Sequence, residues 1–133
     1  MDKQRWKEKL AAFKNALDRL GEGLEEDPIN PLMIDGVIQR FEFSYELAWK
    51  TMKYFLEYQG IEGVKSPRTT IKEAFSFGLI EDGDQWIDML KDRNLTSHTY
   101  DEERAKRIYN KIKSRHYQNL KAVYERLKSE EVE

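Results

Sequence analysis

Six apolar residues near the start of the chain, Trp6, Leu10, Phe13, Leu17, Leu20 and Leu24, recur at alternating steps of four and three. A helix of about 3.6 residues per turn places such a series on one face, whereas a strand would scatter it over both. Lys, Glu, Asp and Arg fill the positions between, which leaves the other faces polar. The same period returns in Ile34, Ile38, Phe41, Tyr45, Ala48, Met52 and Phe55. Nowhere does a sustained period-two alternation or a hairpin turn interrupt it. The chain is therefore predicted to be all-α, an antiparallel up-and-down bundle of about five helices, in one domain spanning 1–133.

Punctuation divides that pattern. Gly21 and Gly23 weaken the first helix and Glu25-Glu26-Asp27-Pro28 stops it. Asn30-Pro31 reads as an N-cap followed by Pro at the first helical position, opening a second helix that Gly60 and Gly63 end. Phe43, Leu47, Trp49 and Tyr54 add apolar surface on its other sides, as expected of a central helix or one that meets a partner. Ser66-Pro67 opens a third helix carrying Ile71, Ala74 and Phe75, and Gly78 closes it. Asp82 or Asp84 caps a fourth, whose stripe begins Trp86, Leu90. Asp101 caps a fifth, with Ala105, Ile108, Tyr109, Ile112, Leu120, Val123 and Leu127 inward and the end, 129–133, expected to fray.

Composition removes several classes of function. Without cysteine there is no disulfide scaffold, thiolate metal site or cysteine nucleophile. His98 and His116 are the sole histidines, too few for a multi-histidine metal cage, so no metal site is expected. No apolar run approaches the roughly 20 residues of a membrane span, and Met1-Asp2-Lys3 does not lead into a signal-peptide core; the expectation is a soluble, intracellular protein. A net charge of -2 from 23 basic and 25 acidic residues argues against a general nucleic-acid coat while leaving room for a small local site.

The informative segment is Asp92 to Asp101. If the fourth helix continues through it, Arg93, Ser97 and Tyr100 extend the row of Trp86 and Leu90, and Asn94 and His98 extend the adjacent row of Ile87. Five polar residues would then share the face that was apolar two turns earlier. Burying Arg and His is costly unless they are paired, hydrated or open to a cleft. On spacing alone two readings stand. Arg93 bonds helix-end carbonyls or a carboxylate such as Asp92 or Asp101, beside a satisfied His. Alternatively Arg93 binds an anion, His98 moves a proton, and Asn94 orients the imidazole or the phosphate.

Arg93-Asn94-Leu95-Thr96-Ser97-His98-Thr99-Tyr100 resembles the Arg-x4-His-x-Tyr signature of HEPN domains. Phe41 to Lys50, Ser66-Pro67-Arg68, Ile71 to Phe75 and Gly78-Leu79-Ile80 resemble blocks of the nucleotidyltransferase substrate-binding proteins. The likeness runs from about Ile34 to Ile112. It implies the HEPN half of a two-gene toxin–antitoxin module whose other half is a minimal nucleotidyltransferase (MNT). By the same resemblance the chain is a cytoplasmic homodimer or higher homo-oligomer with two motifs facing one cleft, acting as a metal-independent endoribonuclease toxin. His98 would then be general base or acid for attack by the ribose 2′-hydroxyl, Arg93 would hold the scissile phosphate, and Asn94 and Ser97 would support it. Tyr100 would accept AMP that the MNT partner takes from ATP, silencing the toxin. An older reading of the family implies a non-catalytic substrate- or nucleotide-binding subunit of a split nucleotidyltransferase.

The remaining candidates read as structural or auxiliary. His116, between Ile112 and Leu120, is expected to pack partly buried. Glu42 and Glu46, one turn apart, are expected to make ion pairs or hydrogen bonds within the bundle. Lys106, Arg107, Lys111, Lys113 and Arg115 form either a solvated face or a phosphate-tracking rim. The aromatic residues are expected in core and dimer packing before base stacking. No Gly-rich phosphate loop and no Gly-Ser plus paired-Asp pattern is present, so transferase chemistry would come from the partner.

Overall fold

The helical seam is buried as its spacing predicts. In a computed structural model that describes residues 3–131, helix α1 runs Lys3–Glu25 and hides Trp6, Leu10, Phe13, Leu17 and Leu20 against α2, Pro31–Tyr58. Asn30 caps α2 by accepting from the Met33 amide at 3.0 Å, with Pro31 in the first turn where its missing N–H costs nothing. Helix α3, Pro67–Phe77, starts with a Ser66/Thr69 capping box and stops at Gly78, whose φ of 97° is left-handed and free of strain only for glycine. Helix α4, Gly83–Leu95, is capped by Asp82, which accepts from the Gln85 amide at 3.1 Å.

A 3₁₀ turn, Thr96–His98, follows α4. Asp101 then caps α5, Glu102–Lys111, which continues through a π-helical turn, Ile112–His116, into α6, Tyr117–Ser129. Counting that continuous run as one helix, the described residues form five helices and no strand. Glu130 and Glu131 sit in a turn; the expected fraying of Val132 and Glu133, like the reading of Met1 and Asp2, lies outside the described residues.

Helix α2 touches all the others, which makes it the central helix. Its apolar residues join those of α1, α3, α4, α5 and α6 in one continuous core. Fully burying a large apolar side chain contributes roughly 1.5–3 kcal/mol, so rings such as Trp6, Phe13, Phe41 and Trp86 supply much of the driving force. Gly21 marks a close approach of α1 to α6. A Cβ there would lie 2.6 Å from the Tyr117 hydroxyl oxygen, so a larger residue would make that ring shift. None of the described helices is long and apolar enough to cross a membrane.

One expectation is corrected. Helix α4 ends at Leu95 and does not carry its stripe through Tyr100. The Thr96 hydroxyl is bonded to the Arg93 carbonyl at 2.7 Å, and the Thr99 hydroxyl donates to the Thr96 carbonyl at 3.3 Å. These local bonds satisfy groups that another helical turn would have used. Asp101, extended at ψ 111°, restarts the backbone as an N-cap.

Candidate active site at the end of helix α4

Because α4 stops, its last turn is buried through other residues than the spacing implied. Asp92 and Thr96 point inward, at 6% and 7% exposure, while Asn94, Ser97, His98 and Tyr100 face solvent. Arg93 is half-buried, and its guanidinium reaches across to Glu46 on α2, Nη2 to Oε1 3.4 Å. The same Thr96 hydroxyl lies 2.6 Å from the Glu42 carboxylate, so its one proton is shared between that carboxylate and the Arg93 carbonyl. Glu42 and Glu46, one turn apart, thus hold the two ends of the segment that leads into the 3₁₀ turn.

The Arg93–Glu46 pair leaves most of the guanidinium fork unused. Its Nε is buried with no hydrogen-bond partner, and a guanidinium offers five donors arranged for a phosphate. Beside it the buried Tyr45 hydroxyl also lacks a partner. Burial pushes that phenol well above its ordinary range, against the pull of the Arg93 guanidinium. Tyr45 therefore stays a neutral hydroxyl in the core.

The 3₁₀ turn presents His98 outward, and its ring stands edge-on to Tyr100, centroids 6.4 Å apart at 77°. Tyr100 is 86% exposed, an unusual place for a large ring and an accessible one for an enzyme that would modify its hydroxyl. His98 and Tyr100 are brought together, then, and Arg93 sits one helical turn earlier against α2. Asn94 and Ser97 are surface residues flanking them.

Behind the site lies a polar network that the spacing did not reveal. His116 is fully buried, stacked on Phe41 with centroids 5.5 Å apart, and bonded through Nε2 to Asp92 Oδ2 at 2.7 Å. Lys111 donates to the same Asp92 oxygen at 2.9 Å and to Asp88 at 2.8 Å, and Arg115 pairs with Asp88. Burial is the strongest single influence on the Asp92 carboxyl and would raise its pKa. Hydrogen bonds from His116 and Lys111 together with the lysine charge outweigh it, and hold the carboxyl below the usual range. Asp88, Asp92 and His116 bring three ligand atoms within 4.8 Å of one another, but the Lys111 ammonium already occupies the cation position between the carboxylates. Their role is to clamp α4 to the π turn, one residue before Arg93.

Of the basic stretch, Lys111 and Arg115 are spent on that clamp and Lys113 pairs with Asp27 at 3.5 Å. Lys106 and Arg107 remain exposed. The i, i+4 spacing of Glu42 and Glu46 was the available signal for Glu46 and Thr96. Partners 47 and 54 residues apart in sequence could not be matched from it.

The chain is similar to proteins already described. The family "Nucleotidyltransferase substrate binding protein like" matches residues 8–129. "Probable ribonuclease HepT" of Haemophilus influenzae is 38% identical over 99 residues, covering 71% of this chain and 68% of the relative. A crystal structure from Thermus thermophilus superposes with a TM-score of 0.80 at 34% identity, over 86% of this chain and 98% of its own. A Haemophilus influenzae structure, described as revealing the fold of a substrate binding domain of a nucleotidyltransferase, does so with a TM-score of 0.80 at 31% identity, over 90% and 98%.

Proposed function

The chain belongs to the nucleotidyltransferase substrate binding protein-like family, and from that premise we propose that it is the HEPN partner of a minimal nucleotidyltransferase. In this reading it is a cytoplasmic homodimer acting as the metal-independent endoribonuclease toxin of the module. The observation that carries the proposal is the presentation of the motif. Arg93 stands half-buried at the end of α4, three residues before the turn that carries an exposed His98, and an exposed Tyr100 stands edge-on to that His. The name of the Haemophilus relative, a probable ribonuclease, supports the same reading.

The chemistry follows from those groups. His98 takes the proton of a ribose 2′-hydroxyl as that oxygen attacks the adjacent phosphorus. The bond from phosphorus to the 5′-oxygen breaks, a second motif of the dimer protonates the leaving oxygen, and a 2′,3′-cyclic phosphate remains. Arg93 carries the charge that grows on the phosphoryl oxygens, with Asn94 and Ser97 at the rim. The MNT partner would transfer AMP from ATP to the Tyr100 hydroxyl, with pyrophosphate leaving. The bulky anion beside His98 would then block the site.

A second reading, a non-catalytic substrate- or nucleotide-binding subunit, is favoured by the Glu46 carboxylate standing against Arg93. The deciding experiment compares RNA cleavage in EDTA by wild type, His98→Ala and Arg93→Ala. General acid–base catalysis contributes about 10²–10⁴-fold, so His98→Ala should lose activity on that scale. A wild type that cleaves no RNA leaves the binding-subunit reading.

A further inference from the structure

Between α3 and α4 runs a groove of about 590 Å³ that the cleavage chemistry does not use. Its floor is apolar, Ile71 and Ile87, and one wall is the ring of Phe75, 53% exposed. That ring lies against Gly83, where an added Cβ would stand 3.6 Å from it. Most rings in this chain are spent in the core, so a half-exposed ring over an open groove is a flat surface available to something else.

The charges around the groove have a direction. Arg68 lies at the start of α3 and Lys72 at its middle, one turn before Phe75, while Glu81, Asp82 and Asp84 lie at the opposite end, around the start of α4. The short connection from α3 to α4 makes them antiparallel neighbours. The path from Phe75 to Arg68 therefore runs the same way as the path along α4 from Ile87 to Asn94, two turns further on one face. Ile87 of the groove and Arg93 lie on the same helix, six residues and about 9 Å apart along its axis, so the groove and the motif share α4.

We infer that this groove is a base-binding subsite for single-stranded RNA: Phe75 stacks one nucleobase, Arg68 and Lys72 hold its phosphate, and the strand continues to Arg93 and His98. The inference rests on the ribonuclease reading and names how its substrate is held. Phosphate is drawn to the basic end and repelled from the acidic one, which leaves the base over Phe75 with its edge toward Glu81 and Asp84. Carboxylates accept from exocyclic amines, so adenine and cytosine fit and uracil, which has none, does not. A second copy of the chain is a poorer occupant. A stable interface buries about 800 Å² per partner around an apolar centre, and this groove is one ring between opposite charges.

The test separates binding from cleavage. Ten-residue 2′-O-methyl oligomers of A, C and U lack the attacking hydroxyl, and fluorescence anisotropy reports their affinity. Wild type should bind the A and C oligomers more tightly than U. Phe75→Ala should weaken binding of the A oligomer by about 5- to 150-fold, the range for one lost base stack, and Phe75→Trp should restore it. Arg68→Gln and Lys72→Gln should each flatten the slope of log affinity against log salt by about 0.7. If wild type binds and Phe75→Ala binds equally well, the groove inference fails while the ribonuclease reading stands. If wild type binds none of the oligomers, both fail. If Phe75→Ala halves the solution mass as it loses binding, the ring belongs to a subunit contact and the inference is overturned.

Discussion

His116 Nε2 and Asp92 Oδ2 are 2.7 Å apart in the interior, and the bond joins the π turn to the last full turn of α4. Its partners are buried in the core, so the pair is a structural clamp whose position decides where Arg93, the next residue, emerges. Removing the imidazole leaves a cavity beside Phe41 and strips one hydrogen bond from a buried carboxylate. His116→Ala should cost about 2–4 kcal/mol in urea unfolding, and RNA affinity should fall with it as α4 loosens. A variant as stable as wild type would show that the clamp is dispensable.

Asp92 sets a pH dependence of its own. Its folded-state pKa is held below the ordinary 3.8, so the stabilisation is complete above that value, where both states are ionised. As pH falls below it, the unfolded chain takes up the proton first and the contribution drains away until the folded carboxyl protonates. Asp92→Asn should therefore be destabilised at pH 5, and its deficit against wild type should shrink between pH 4 and pH 2. Chemical denaturation at a series of pH values reads this directly; a deficit that grows on acidification contradicts it.

Thr96 ties the start of the 3₁₀ turn to Glu42 and to the Arg93 carbonyl. Thr96→Val keeps the shape and removes that shared donor, leaving the half-buried Glu42 carboxylate without it. A loss of about 1–3 kcal/mol is expected, with RNA cleavage falling because His98 rides on that turn. Amide exchange at residues 96–100 should speed up in the variant, and unchanged protection there would sink the idea.

In the proposed mechanism Glu46 competes with the RNA phosphate for Arg93. The pair is about a third exposed on each side, so Glu46→Gln should change stability by about 1 kcal/mol or less. Removing an anion that faces the proposed phosphate-binding group should tighten RNA binding severalfold, most clearly at low salt. Weaker binding would mean instead that the carboxylate is needed to aim the guanidinium.

Tyr100 is the exposed acceptor of the proposed modification. Incubation with a cognate nucleotidyltransferase and ATP should add one AMP per chain at Tyr100, seen by peptide mass spectrometry, and abolish RNA cleavage. Tyr100→Phe should stay active under the same treatment. Adduct on another residue would move the regulatory site.

The helices were legible from local rules. Seam spacing, Asn30-Pro31, Ser66-Pro67, Gly78, Asp82 and Asp101 all act within a few residues of themselves, so a linear reading reaches them. The π turn and the end of α4 were not, because both depend on bonds that the spacing of apolar residues does not report. Ser and Thr offer the backbone a competing set of hydrogen bonds, and Thr96 takes that option where Glu42 from α2 can complete it.

From the sequence alone came the all-α class, the residues of the core, the absence of thiol chemistry and the Arg93–His98–Tyr100 motif. The tertiary structure decided what those residues face. Packing α2 against α4 brings Glu46 to Arg93, and packing the π turn against α4 buries His116 on Asp92, while His98 and Tyr100 are left in water. Each of these pairings joins partners 24 or more positions apart. Such pairs form only when helices dock, because the hydrophobic effect that drives docking is non-directional and does not itself specify polar partners.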